Sequence, residues 1–268
     1  MKYTIGITTF EYRFEKYFKP LLNQIKKHLP DVEVIVYING QYGKDFNNDY
    51  RKDILNFISN HNNVFPIISP HFKGLSKMWN SIIVQSSNDN IFIFNDDIWL
   101  EDQFFLQIVE IFNLTKSSFR LNGSFSHFCV NRKEVFDVGF FDERLIGLGE
   151  EDGDWIFRWE KHFQRNITTL QTPFVKSFYN IKDDRNSEGM EKDTTWGKYT
   201  PWNARWIFAN KYDPDNTELA MSQGFPADGR GGMYGKPVAI REGSIELDFY
   251  PAEKFFWEHI NELKDNGN

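Results

Sequence analysis

Apolar and polar positions alternate in blocks along the first half of the chain. YTIGIT (3–8) is a continuous β-rich apolar run. The stretch from Tyr12 to His28 behind it repeats apolar residues at helical spacing, with Leu21, Leu22, Ile25 and Leu29 on one face. Pro30 and Asp31 turn the chain into VEVIVYI (32–38), a second buried strand that ends at Asn39-Gly40. A helical pattern covers 49–59. VFPIIS (64–69) reads as a third strand, which Pro66 either weakens or places at a sheet edge, because proline cannot donate to a ladder. Ser76 to Val84 reads as a helix and NIFIF (90–94) as a fourth strand. A helix at 102–113, a strand at 124–130, short and longer helices at 132–137 and 152–163, and the strand ITTLQT (167–172) follow.

Strands alternating with helices predict an α/β fold with parallel crossovers and helices on both sheet faces. Such sheets bind ligands beyond the carboxyl ends of their strands, so the informative residues should follow the strands. Past Asn180 the pattern becomes irregular. Residues 181–200 are polar, SQGFPADGRGGMYGK within 221–236 holds five glycines, and an amphipathic helix fits 252–264. We therefore read residues 1–180 as the main domain and 181–268 as an irregular, partly helical C-terminal extension.

Composition narrows the function. Net charge is −7 and no long basic stripe occurs, which argues against a nucleic-acid partner. The one cysteine, Cys129, lies in the apolar run FSHFCV and reads as a small buried thiol. MKYTIGITTF enters a strand pattern directly and has no signal-peptide core, so the expectation is a reduced, cytoplasmic protein. No stretch approaches the roughly 18 apolar residues of a membrane span. At most, the chain touches a membrane peripherally.

Two segments carry chemistry. In IFIFNDDIWL (91–100) an apolar strand ends in Asn95, Asp96 and Asp97. Adjacent carboxylates there repel unless a cation, a proton or solvent compensates. Mg²⁺ or Mn²⁺ takes one or two such carboxylates and completes its shell with phosphate oxygens. The plain alternative is a strand end followed by a helix-capping Asp102. In GFFDERLIGLGEEDGDWIFRW (139–159), Glu150, Glu151, Asp152 and Asp154 crowd the start of a helix. The helix dipole favours acids there, yet one or two would satisfy it. A further carboxylate can take the proton of an acceptor hydroxyl.

In this order the segments resemble the inverting family 2 glycosyltransferases of GT-A fold, over roughly residues 3–160. ITTFEYR (7–13) is similar to the family's opening nucleotide-contacting loop, with Thr8, Thr9, Phe10 and Arg13 at the matching places. Asn39 stands where the family usually has an Asp facing base and ribose. FKGLSKMWNSII (72–83) matches the glycine-then-asparagine segment at Gly74 and Asn80. NDD at 95–97 falls on the DxD motif, which puts Asn95 and Asp96 beside the donor and makes Asp97 the metal ligand. Asp152 falls on the catalytic-base position with Glu151 beside it, supported by Asp154 and Arg158.

One departure stands out. Relatives place a metal-binding His after the next strand, where this chain has PFVKSFYN (173–180). Asn180 or water substitutes there, or Asp97 and the donor diphosphate hold the metal alone. His127 falls on a strand and His162 on a helix, and both read as ordinary packed or surface histidines.

The resemblance implies a Rossmann-like, mostly parallel sheet and a Mn²⁺- or Mg²⁺-assisted transfer. The sugar would move from a nucleotide-sugar, UDP-sugars being commonest, to a hydroxyl of a glycan or lipid-linked acceptor, with inversion. It also implies polysaccharide biosynthesis at the inner face of the membrane, and a C-terminal extension that binds acceptor or lies near the membrane. Trp196, Trp202 and Trp206 read as a helix docking on the main domain in preference to an acceptor platform. The alternatives are a non-catalytic carbohydrate- or nucleotide-binding protein of the same fold, and a sugar nucleotidyltransferase. The latter needs a glycine- and arginine-rich triphosphate loop that ITTFEYRFEKYF lacks.

Overall fold

The computed structural model describes residues 2–40, 45–71, 73–143 and 151–177. Expectations for Glu150, Asn180, the three tryptophans, the glycine-rich stretch, the helix at 252–264 and the whole of 181–268 lie outside them. The chain divides into two compact units. Among described residues the first comprises 2–40, 45–71, 78–135 and 166–177, and the second 73–77, 136–143 and 151–165.

The first unit is built on a sheet whose strands are β1 (Thr4–Phe10), β2 (Glu33–Asn39), β3 (Val64–Ser69), β4 (Asn90–Asn95), β6 (Phe119–Leu121), β7 (Ser124–Asn131) and β8 (Thr168–Leu170). Their order is β3-β2-β1-β4-β7-β6-β8. Only β7 runs against its neighbours, so the sheet is mostly parallel, as the strand–helix alternation implied. β5 (Ile98–Leu100) and β9 (Val175–Ser177) form a separate antiparallel pair.

All seven residues of β1 are buried, the pattern of a central parallel strand covered on both faces. A Cβ on Gly6 would come within 2.4 Å of the Ile82 side chain, so the glycine lets α3 (Leu75–Gln85) lie directly on the strand. β3, with Pro66 in it, is an edge strand of this sheet.

The single helix expected from Tyr12 to His28 is three pieces: a 3-10 turn (Glu11–Arg13), a π-helical turn (Phe14–Phe18) and α1 (Lys19–His28). Pro20 has no N–H for the carbonyl of residue 16, so a regular helix cannot run through from Arg13. The wider turn also sinks Phe14, Tyr17 and Phe18 into the core. α2 (Asn48–Ser59) is capped by Asn47, whose side chain accepts from the N–H groups of Asp49 (2.9 Å) and Tyr50 (3.3 Å). With α4 (Asp102–Thr115), α1 and α2 cover a core in which Phe92, Phe94, Phe104 and Phe119 pack with ring centroids 5.6–6.2 Å apart.

α5 (Arg132–Val138) leads into the second unit, which holds α6 (Glu151–Phe163). Trp155 stacks on Phe141 at 5.2 Å and donates through Nε1 to the carbonyl of Gly139 at 3.0 Å. Gly139 has φ +90°, which favours glycine. Among the described residues no helix is long and apolar enough to cross a membrane.

Candidate functional site

The register sets the carboxyl ends of β1, β2 and β4 side by side. Phe10 pairs with Asn39, Asn39 with Ser69, and Thr8 with Asn95. Thr8, Thr9, Phe10, Asn39 and Asn95 thus share one end of the sheet. Asp96 and Asp97 occupy the turn after β4, and Arg13 the turn after β1. Asn80 is buried within α3, and Asn39 is fully buried.

Side chains tie these segments together. Thr8 donates to Asn95 (3.2 Å) and Thr9 to Asp96 Oδ2 (2.7 Å). The Arg13 guanidinium lies between the two acids, with Nε 2.6 Å from Asp96 Oδ1 and a terminal nitrogen 2.8 Å from Asp97 Oδ2. Its carbon sits 5.1 Å from the centre of the Tyr17 ring. All three charged groups are buried. Burial pushes Asp96 up to about 7; Arg13 opposes that shift and the neighbouring charge of Asp97 adds to it. One guanidinium against two carboxylates leaves the cluster with a net negative charge whenever both acids are ionised.

Among the described residues no three metal-ligating side chains converge. Thr9 and Arg13 engage both oxygens of Asp96, and Arg13 also pairs with Asp97, the carboxylate that the sequence reading assigns to a divalent ion. A single carboxylate fits an ion whose shell is completed by phosphate oxygens, with Arg13 as the competing cation.

Two further groups border this cluster, and the sequence did not single them out as site residues. Tyr50, in α2, has a buried hydroxyl with no hydrogen-bond partner among the described residues. Burial pushes it well above the usual phenol range, and the charges of Asp96 and Glu11 add to that. His127, on β7 opposite Phe94, is 4% exposed, and neither ring nitrogen has a hydrogen-bond partner among the described residues. Burial drives it down to about 4, against the pull of Asp97. A cavity of about 740 Å³ lined by Tyr3, His28, Glu33 and Ser87 lies at the amino ends of the strands, away from these groups.

In the second unit, α6 carries Glu151, Asp152 and Asp154 in its first turn. Glu151 and Asp154 are buried, whereas Asp152 is partly exposed and accepts from the N–H of Gly153 at 2.9 Å. Arg158 bonds Asp154 (3.1 Å) and the carbonyls of Val138 (2.6 Å), Gly139 (3.2 Å) and Phe140 (2.7 Å). Asp154 and Arg158 are thus bonded to each other in the first two turns of α6. Gly74 belongs to this unit's 73–77 segment, in which Lys77 pairs with the buried Glu143 at 3.2 Å.

No family model and no curated protein matches the sequence. Among solved structures the chain is similar to TarS from S. aureus, at 15% identity over 68% of this chain and 38% of that one, with a TM-score of 0.49. It is similar to the mannosyltransferase PcManGT from Pyrobaculum calidifontis in complex with GDP-Man and Mn²⁺, at 11% identity over 64% and 56% of the two chains and a TM-score of 0.49. It is also similar to glucosyl-3-phosphoglycerate synthase from Mycobacterium tuberculosis in complex with Mn²⁺, UDP and phosphoglyceric acid, at 11% identity, 70% and 72% coverage and a TM-score of 0.49. The chain thus spans well under half of the length of TarS.

Proposed function

We propose that this protein is an inverting GT-A glycosyltransferase of family 2 type, moving a sugar from a nucleoside-diphosphate donor to a hydroxyl of a glycan or lipid-linked acceptor. The observation that carries the reading is the cluster at the carboxyl ends of β1 and β4. There Thr8, Thr9 and Arg13 bind directly to Asn95, Asp96 and Asp97, across more than 80 residues of sequence. That end of an α/β sheet is where ligands bind.

Thr8, Thr9, Phe10, Arg13, Asn39, Gly74 and Asn80 are the residues we assign to nucleotide and donor binding, together with Asn95 and Asp96. Asp97 would hold Mn²⁺ or Mg²⁺ together with the donor diphosphate, and the ion, when bound, supplies positive charge to the leaving nucleoside diphosphate. For that, Arg13 must yield its contact with Asp97; its guanidinium is then free to pair with phosphate, for which its planar fork is suited. Asp152, the partly exposed acid of α6, takes the proton of the acceptor hydroxyl, with Glu151 beside it. Arg158 fixes the first turn of α6 through Asp154 and so sets the position of Asp152.

A thermal-shift screen of nucleoside diphosphates and nucleotide-sugars, each with and without Mn²⁺, tests this. A ligand at about 100 times its dissociation constant stabilises a fold by ~2.7 kcal/mol. We expect one base to raise the melting temperature in a metal-dependent way, and Asp97→Ala to lose that effect. Asp152→Asn should keep donor binding and lose transfer by about 10²–10⁴-fold. No shift with any nucleotide would sink the reading. Donor binding without transfer by the wild-type chain would favour a non-catalytic binding protein, for which the filling of the acidic pair by Arg13 is the supporting observation.

A further inference from the structure

His127 is the histidine in the first unit whose surroundings the fold alone does not account for. Its ring is 4% exposed, and among the described residues neither nitrogen has a hydrogen-bond partner. A buried polar group left in that state is destabilising, and a leucine of similar volume would avoid the penalty. Buried polar groups are nearly always satisfied, so an exception calls for a reason. The place of this one supplies it. β7 pairs antiparallel to β4 with His127 opposite Phe94, and Phe94 immediately precedes Asn95, Asp96 and Asp97. The imidazole also feels the charge of Asp97.

The chemistry of the ring says what it awaits. With its pKa driven down to about 4 it is neutral at ordinary pH, with one nitrogen a donor and the other an acceptor. A phosphate oxygen or a metal ion would use only one of these capacities. A sugar hydroxyl, which both donates and accepts, can use either nitrogen.

Resting on the nucleotide-sugar reading above, we propose that His127 is a sugar-selecting residue: its buried imidazole is held beside the acidic turn for a hydroxyl of the sugar that the donor carries. The penalty of the empty pair of nitrogens is relieved when donor binds. A site built to hydrogen-bond a hydroxyl discriminates strongly against sugars that lack it or carry it in the wrong orientation, because the buried polar group then stays unpaired.

The test compares wild type, His127→Leu and His127→Asn as full chains. Melting temperatures are measured first. Isothermal titration with UDP and UDP-glucose, and with GDP and GDP-mannose, follows in the presence of Mn²⁺. We expect His127→Leu to melt at or above the wild-type temperature. For whichever base binds, its nucleotide-sugar affinity should fall at least ~10-fold while its affinity for the plain diphosphate stays within ~2-fold. His127→Asn, which keeps a donor and an acceptor, should recover part of the lost affinity.

A leucine variant that melts several degrees lower would show the ring to be structural and overturn the proposal. So would equal losses for diphosphate and nucleotide-sugar, or no loss for either. If no nucleotide binds the wild-type chain, the glycosyltransferase reading fails by itself, and a lowered melting temperature for both variants then overturns the role of His127 separately. If the leucine variant fails to fold, the asparagine variant carries the comparison, with near-wild-type melting and a selective loss for the nucleotide-sugar as the supporting result.

Discussion

Arginine meets buried acid in both units of this protein, and the two meetings differ. Arg158 has five N–H groups, and five hydrogen bonds use them: two to Asp154 and three to the carbonyls of Val138, Gly139 and Phe140. One positive charge faces one carboxylate in an i,i+4 pair on α6. Arg13 instead stands between two carboxylates, and the cluster borders a hydroxyl at Tyr50 and an imidazole at His127 that have no hydrogen-bond partner among the described residues. The first arrangement is closed. The second sets two buried carboxylates against one arginine and has spare hydrogen-bonding capacity at its border, which suits a ligand. Composition does not separate the two, since each is an arginine with aspartates near an apolar segment. Satisfaction of the polar atoms does.

The sharpest way to break this comparison is to remove Arg158. Arg158→Met takes the guanidinium away from the buried Asp154 and removes a donor from each of the carbonyls of Val138, Gly139 and Phe140. Breaking a buried pair from one side costs about 3–5 kcal/mol. Urea denaturation should show a loss of that size, with the melting temperature falling in step. A loss under ~1 kcal/mol would mean that the cluster is not the clamp its geometry describes.

The next effect is a pH dependence in the open cluster. The pKa of His127 is about 4 in the folded chain, against an ordinary value of about 6.5 in the unfolded one. Above pH 6.5 the ring is neutral in both states and its contribution is complete. As pH falls from about 6.5 toward 4 the unfolded chain takes up a proton that the folded chain refuses, so stability is lost across that window. About 2.5 pK units correspond to roughly 3 kcal/mol. Asp97 is the charged neighbour that tempers the loss. Many carboxylates also titrate there, so the measurement is the difference between wild type and His127→Leu, followed by urea denaturation from pH 7.5 to 4.5. The advantage of the variant should grow as the pH drops, and a flat difference would contradict the burial of an unpaired ring.

Much of this organisation is legible in the chain. The parallel sheet follows from YTIGIT, VEVIVYI and NIFIF, because strands covered on both faces must read as continuous apolar runs. The placement of Thr8, Thr9, Arg13 and the Asn95–Asp97 turn at one end of the sheet follows from the same alternation. Local pattern misses what is decided by contacts distant in sequence. β5 and β9 are three residues each and exist only as partners of one another, with Ile98 paired to Ser177. Asn122-Gly123, with φ +52° and +76°, forms the two-residue turn joining β6 to β7, and Asn-Gly is the local signal for such a hairpin. Arg13 read as a nucleotide contact, because nothing in ITTFEYR shows that its guanidinium reaches two acids more than 80 residues away. His127 read as an ordinary packed histidine, and it is packed. That its nitrogens are unpaired is a property of its neighbours, which a single sequence does not display.

The smallest effect sharpens the comparison by its sign. In the closed cluster, deleting polar atoms destabilises the protein. In the open cluster the Tyr50 hydroxyl is buried, feels the charges of Asp96 and Glu11, and has no hydrogen-bond partner among the described residues. Tyr50→Phe keeps the ring in its edge-on contact with Phe14 at 5.7 Å and removes only the unsatisfied oxygen. Since an unpaired buried hydroxyl carries a penalty, the variant should be more stable by about 1 kcal/mol, or at worst unchanged. The shift in urea midpoint at constant slope reads this directly. A destabilisation of ~1 kcal/mol or more would show that the hydroxyl has a structural partner after all, and the contrast between a closed and an open arginine cluster would then rest on His127 alone.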